Sequence, residues 1–227
     1  SGIDRRIEGM FSFIDLEFLG VIIPLLAKGC LITIQLTLLA IFFGTIIGLL
    51  VALAKLSPVA PLRWFGGIYT WVLRGVPLLV QLLVFYYTLP VIGIDVPAIF
   101  AAVVTVGICA SAYISEIWRG AIAALPRGQA EAAVAIGMTP RDVWMRVILP
   151  QAFTLSLPAL VNELILLVKA SSLVSVVGIL ELTRASQAQA ATTFRPLEVY
   201  IAAACIYLAI NLCLAALGRY LEHRTAV

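Results

Sequence analysis

The chain alternates between long apolar runs with few charges and short charged boundaries. A run of about 20 such residues can cross roughly 30 Å of hydrocarbon as a helix that rises 1.5 Å per residue. Five membrane spans are predicted, at residues 29–54, 70–94, 96–118, 149–168 and 198–221. The fourth contains Glu163, and it is a span only if this carboxylate faces other helices or a wet cavity, because a carboxylate facing lipid is costly.

The segments between these runs have different patterns. Residues 10–27 are apolar but interrupted by two acidic residues and Pro24, which predicts an interfacial helix on the outer face. Residues 119–148 are charged and contain several glycines and prolines, which predicts short helices joined by turns in a cytoplasmic loop. Residues 171–197 predict an outer-side helix followed by a loop. Residues 1–9 lack the apolar core of a cleavable signal peptide.

Composition strengthens this membrane interpretation. The 227 residues are 63% hydrophobic and 12% charged, with a mean hydropathy of +1.10, whereas soluble domains are roughly 25% charged. A disordered chain, a collagen-like fibre and a disulfide scaffold are excluded. The net charge of +3 is small and the basic residues are scattered along the chain, which argues against nucleic acid as a partner. The fold class predicted for residues 1–227 is therefore one all-α polytopic membrane domain.

Charge also predicts the orientation of the chain. Most lysines and arginines, among them Lys55, Arg127 and Arg146, fall on the cytoplasmic side if the N-terminus is outside. Five spans then place the C-terminus in the cytoplasm. The first span carries Gly44 and Gly48 in a small-xxx-small spacing that lets helices approach closely, and this contact could lie within the subunit or between two copies.

The charged loop contains a short helix with clear boundaries. Residues 129–136 are rich in good helix formers. Gly137 can end this helix in the left-handed conformation, and Thr139 can cap a second helix that has Pro140 at its first position. The alanine-rich face of the short helix has little side-chain bulk, so it can seat closely in a groove of another protein.

The same loop resembles the EAA loop of ATP-binding cassette (ABC) importer permeases. The sequence EAA at 131–133 is followed after three residues by Gly137, and nine residues later by Val147, one further residue and Leu-Pro at 149–150. The family pattern usually has isoleucine where Val147 stands. Further stretches resemble the polar amino acid uptake branch of that family: RGVPLLVQ at 74–81, AYISEIWRG at 112–120, and segments at 128–133, 157–163 and 169–173.

The resemblance implies a type I ABC importer permease in a bacterial cytoplasmic (inner) membrane, carrying a polar amino acid by alternating access. Its partners would be a second permease subunit, identical or paralogous, two ABC ATPase subunits, and a periplasmic or lipid-anchored binding protein. The chain would not be an enzyme, and ATP and Mg²⁺ would be bound by the ATPase subunits. In agreement, no lysine follows a glycine as in a phosphate-binding loop, and no residue spacing predicts a metal site. The residues expected to dock on the ATPase are Gln129, Ala130, Glu131, Ala132, Ala133, Ile136 and Gly137.

Polar residues near the fourth span are candidates for the substrate pathway. Asn162 and Glu163 could line a central cavity or hydrogen-bond between helices. Lys169, Ser171 and Ser172 could belong to the pathway or form an interfacial lysine with capping serines.

Two charged residues outside the fourth span suggest a structural ion pair. Arg74 is predicted at the inner end of the second span, and Glu116 at the inner end of the third. We expect them to pair, the alternative being that Arg74 snorkels to the interface.

Rival interpretations remain open at this stage. An ABC permease could instead carry another small polar solute, such as an opine or a sulfur amino acid. An ion-coupled secondary transporter would normally need more spans or an internal repeat. A structural or sensory membrane protein would leave the glycine- and proline-rich charged loop unexplained.

Overall fold

Apolar runs become helices throughout the computed structural model, which describes residues 16–225. Within these residues there is no β-strand. The helices are α1 (Leu16–Leu56), α2 (Ala60–Gly75), α3 (Leu78–Val91), α4 (Ala98–Ala124), α5 (Arg127–Ala135), α6 (Pro140–Asp142), α7 (Leu149–Ala170), α8 (Leu182–Thr193) and α9 (Pro196–Thr225). A π-helical segment, Val143–Ile148, joins α6 to α7, and a 3₁₀ segment, Ser171–Val177, follows α7.

Helix α1 is longer than the sequence pattern predicted. Its 41 residues correspond to about 60 Å, roughly twice the hydrocarbon thickness. Residues 16–27 continue directly into the span instead of forming a separate interfacial helix. Pro24 is accommodated inside the helix, and Ile22 and Leu26 are buried against α8 and α9, so this N-terminal part of α1 has its own packing partners. Residues 1–15, including the rest of the predicted interfacial segment, lie outside the described residues.

The predicted second span is broken. Helices α2 and α3 meet at an angle of 102°, and α2 begins at Ala60, ten residues before the predicted start at 70. Pro77 causes the break, since it has no N–H and disfavours the helical conformation of the residue before it. Val76 accordingly has an extended backbone, with φ −101° and ψ 132°.

Within residues 16–225, four helical stretches are long and apolar enough to cross a membrane: 17–56, 98–124, 140–177 and 196–224. The bent pair of α2 and α3 makes a fifth if it is counted as one span.

Helix α4 forms the centre of the fold and packs most extensively against α1. Its buried face includes Ala102, Val106, Ala110 and Ile114. The two helices approach closely because glycines face α4: a Cβ on Gly48 would lie 2.9 Å from Ile114 Cγ2 and 3.0 Å from the Ser111 carbonyl oxygen. The small-xxx-small spacing in α1 is therefore used inside the subunit.

We predict that Gly48→Ala destabilises the protein, whereas Gly67→Ala does not. The new methyl group at position 48 must push α1 away from α4, and overpacking of this kind costs about 1–3 kcal/mol. Position 67 has no atom within 4 Å of an added Cβ, and alanine is the better helix former. Thermal unfolding of the two detergent-solubilised variants measures the difference. Equal midpoints would contradict the close approach at Gly48.

Candidate functional site

A cavity of about 500 Å³ opens beside the break between α2 and α3, and α4 and α7 complete its walls. Arg74 and Glu163 are its charged lining residues. Tyr113 and Cys109 add polar atoms from α4, and the other lining residues are glycine, proline or aliphatic. The break thus creates a mainly apolar chamber with one positive and one negative side chain.

Glu163 is buried, with 8% of its surface exposed. Within the described residues it has neither a hydrogen-bond donor nor an ion-pair partner in contact. The positive charge that acts on it is that of Arg74, whose guanidinium lies over the Tyr113 ring, 5.2 Å from its centroid. Buried carboxylates are normally paired. Because this one has no such partner among the described residues, it could accept hydrogen bonds from a bound cation.

The Gln81 side chain hydrogen-bonds to the backbone at the helix break. Its amide Nε2 donates to the carbonyl oxygens of Leu73 and Val76, each at 2.8 Å. The Leu73 carbonyl would normally accept from the residue four positions later, which is Pro77 and has no N–H. The Gln81 side chain, one turn into α3, supplies the missing donor. This role accounts for the glutamine four residues after Pro77 in the RGVPLLVQ stretch, and it was not predicted from the sequence.

Several predicted pathway residues lie away from this cavity. Asn162 and Lys169 are exposed and do not line it. The Ser171 hydroxyl is buried and donates to the Val168 carbonyl at 2.7 Å, and the Ser172 hydroxyl donates to the Lys169 carbonyl at 2.8 Å. Of the five residues suggested near the fourth span, the structure brings only Glu163 into the cavity, where Arg74 joins it.

Glu116 pairs differently from the prediction. Its carboxylate accepts hydrogen bonds from Lys55 Nζ and from Arg119 Nε, the latter at 2.8 Å. Lys55 Nζ also donates to Thr70 Oγ1 at 3.1 Å, so this cluster ties α1, α2 and α4 together. The expected pair with Arg74 is wrong because α2 starts earlier than predicted. Arg74 therefore lies at the far end of this helix, beside the cavity.

The predicted loop helix is present as α5, and most of its side chains are exposed. Gln129, Glu131 and Ala132 are exposed, Ala130 is half-buried and Ala133 is buried. Ile136 is 80% exposed and Val134 60%, so neither of these apolar side chains is covered by the described part of the chain.

Both ends of the loop turn were predicted correctly. Gly137 has φ +84°, and Thr139 Oγ1 accepts from the Asp142 N–H at 3.2 Å. The turn therefore fixes how α5 is presented.

A buried carboxylate directly before α8 was not anticipated. Glu181 is fully buried and accepts from the N–H groups of Thr183 and Arg184, at 2.9 and 2.8 Å, and from the Tyr207 hydroxyl at 3.0 Å. Burial raises the pKa of the Glu181 carboxyl, and these hydrogen bonds oppose the rise in part. Its signal in the sequence was its position directly before α8, where a side-chain acceptor caps a helix.

Comparison with known proteins identifies the family. Residues 44–227 match the model of the "Binding-protein-dependent transport system inner membrane component" family. The chain belongs to this family. It is accordingly a multi-pass subunit of an ABC importer in the cytoplasmic membrane, it works with a second permease, ATPase subunits and a binding protein, and ATP is hydrolysed by the separate subunits.

Relatives place the chain among amino acid permeases of this family. It is 42% identical over 202 residues to the L-cystine transport system permease protein TcyB of Bacillus subtilis (strain 168), covering 88% of this chain and 86% of that protein. It is 38% identical over 213 residues to the arginine transport system permease protein ArtQ of the same organism, covering 92% and 97%. The glutamine transport system permease protein GlnP of Escherichia coli (strain K12) is 38% identical over 215 residues, covering 90% and 94%.

Solved structures confirm the all-α permease fold. The crystal structure of an amino acid ABC transporter with histidines superimposes with a TM-score of 0.84 at 40% identity, covering 93% of this chain and 99% of that one. A MetNI methionine ABC transporter in an inward-facing conformation matches with a TM-score of 0.76 at 24% identity, covering 88% and 96%, and this likeness concerns the fold alone.

We predict that Glu116→Gln destabilises the helical bundle, whereas Arg74→Gln leaves its stability nearly unchanged. The first change leaves the partly buried Lys55 ammonium without its carboxylate, at a cost of about 1–3 kcal/mol. Arg74 makes no ion pair within the described residues, so its loss removes the contact with Tyr113 and the charge that acts on Glu163 from a distance, but no hydrogen-bonded pair. Thermal unfolding compares the two variants, and the exchange Lys55→Glu with Glu116→Lys should recover part of the loss. Equal destabilisation by both single changes would restore the case for an Arg74–Glu116 pair.

Proposed function

We propose that this permease subunit binds a polar amino acid in the cavity between Arg74 and Glu163 during its passage to the cytoplasm. The observation that carries the proposal is that one apolar chamber holds a guanidinium and a buried carboxylate that has no hydrogen-bond or ion-pair partner among residues 16–225. Every free amino acid carries a carboxylate and an ammonium group on one carbon, and the two side chains offer a counter-charge to each.

The chemistry of the two groups matches these roles. A guanidinium presents a planar fork of donors that suits a carboxylate, and the Glu163 carboxylate can accept from an ammonium. A cavity of about 500 Å³ is in the usual range for small-molecule sites, roughly 300–1,000 Å³. The relatives' names, for L-cystine, arginine and glutamine, support an amino acid as the substrate.

The exposed loop supplies the connection to ATP. We propose that residues 129–137 dock on an ATPase subunit, with the exposed Ile136 inserted in a groove of that partner. Helix α5 leads through Gly137 and the capped turn at Thr139 into the π-helical segment, which runs without interruption into α7. Because α7 carries Glu163, a displacement of the docked loop reaches the cavity wall through one continuous element.

The remaining details of the assembly follow the same scheme. The N-terminus is expected outside and the C-terminus in the cytoplasm, so that the loop at 119–148 faces the ATPase subunits. The second permease is a copy of this chain or a paralogue, and the binding protein is periplasmic or lipid-anchored. ATP and Mg²⁺ are expected on the ATPase subunits alone.

We predict that Glu163→Gln raises the KM for uptake by at least about tenfold in the complete transporter reconstituted in liposomes. Glutamine keeps the shape of the side chain but removes the charge that pairs with the ammonium group, and a tenfold change corresponds to about 1.4 kcal/mol. Glu17→Gln changes an exposed carboxylate away from the cavity and is the matched control. Unchanged uptake kinetics in Glu163→Gln would refute the cavity as the binding site.

We also predict that Ile136→Asp weakens binding of the ATPase subunit by about tenfold or more while the permease stays folded. The side chain is largely exposed in the free subunit, so the acid disturbs only a surface that the partner covers. Phe194→Asp makes the same type of change at an 88% exposed position in the outer-side segment. Copurification and substrate-stimulated ATP hydrolysis should fail for the first variant and survive in the second. If Phe194→Asp also abolished copurification and substrate-stimulated ATP hydrolysis, a docking role specific to the loop would be contradicted.

A further inference from the structure

We infer that the cavity selects amino acids whose side chain carries no charge. This inference rests on the proposed function, since it names the substrate class of the same site. It follows from a count of the charges available in the walls.

The walls contain one cation and one anion. A zwitterion uses Arg74 for its carboxylate and Glu163 for its ammonium group, and the filled site is then neutral. A substrate with a third charge, such as arginine or glutamate, would bring that charge among aliphatic residues with no opposite partner. Burying an unpaired charge is among the most unfavourable changes that a site can undergo.

Other charged groups on the cavity-forming helices are occupied or directed elsewhere. On the four wall helices, the described charged residues besides Arg74 and Glu163 are Arg63, Glu116, Arg119 and Lys169. Glu116 and Arg119 bond to each other, and Glu116 also to Lys55. Arg63 lines a separate surface depression beside Trp64 and Trp71, and Lys169 is exposed and does not line the cavity. No second counter-charge therefore exists in the described walls.

The surface left for the substrate side chain is apolar. Val106, Leu166, Leu167 and Ala170 form much of the wall around the charged pair, and Cys109 and Tyr113 provide its remaining polar atoms. Such a surface suits aliphatic, sulfur-containing or amide side chains, which need at most a hydroxyl or thiol as a hydrogen-bond partner.

The inference can be tested by titrating the purified permease–ATPase complex, in lipid nanodiscs and without binding protein, with methionine, glutamine, arginine and glutamate. We expect methionine or glutamine to bind at least about tenfold more tightly than arginine and glutamate. Arginine or glutamate binding as tightly as the neutral amino acids would overturn the inference but leave the proposed site intact, provided that Glu163→Gln still weakens binding. If none of the four binds, or if Glu163→Gln has no effect, the proposed function itself fails.

A gain-of-charge variant provides a second, independent measurement. Leu166 lines the cavity and is 47% exposed, so Leu166→Glu can be introduced without opening the core. The new carboxylate should improve the affinity for arginine relative to glutamine by about tenfold, whereas the isosteric Leu166→Gln should leave the ratio unchanged. An unaltered ratio in Leu166→Glu, with the protein folded, would show that the charge count of the walls does not set the selectivity.

Discussion

The need to hydrogen-bond every backbone group in a membrane governs the central part of this structure. The helix is interrupted at Pro77, and this interruption leaves the Leu73 carbonyl without its usual backbone N–H donor in an apolar environment. The Gln81 amide supplies the donor that proline lacks. With that bond in place the break is satisfied internally, so α2 and α3 can diverge at 102° and leave space beside Arg74. The cavity, and the position of its cation, depend on this one side chain.

The second charged residue of the cavity, Glu163, is positioned by a different helix. Glu163 lies on α7, and α7 continues from the π-helical segment that follows the exposed loop. Glu163 lies 14 residues, or about 21 Å of helix, from the start of α7 at Leu149. The turn after α5 is therefore joined to the cavity wall by one uninterrupted helical stretch, and the proposed motion of that stretch would take place beside the frame formed by the α1–α4 contact at Gly48 and the Glu116 cluster.

Local patterns in the sequence predicted local structure well and tertiary pairing poorly. Gly137 and Thr139 were predicted correctly because a helix end depends on residues within one turn of it. The partner of Glu116 was missed because the second span was read as one helix from 70 to 94, which put Arg74 at the wrong depth. Pro77 was visible, but only the geometry shows that it divides the span. The cap at Glu181 also needed the fold, since its burial depends on Tyr207 from α9.

Glu163 has no hydrogen-bond or ion-pair partner in the part of the chain that the structure describes, and this bears on the proposed coupling to ATP. A carboxylate in apolar surroundings is unfavourable without a counter-charge, so an ammonium group bound as proposed would stabilise the arrangement of α2, α4 and α7 that surrounds it. A site of this kind holds its substrate most firmly in one arrangement and must be distorted to release it. Substrate binding alone cannot drive that distortion, because the free energy gained when the substrate binds has to be given back when the substrate leaves. Under the proposed function, release would be coupled to work delivered through the loop, because the exposed residues 129–137 connect through the turn and the π-helical segment to the helix that carries the carboxylate.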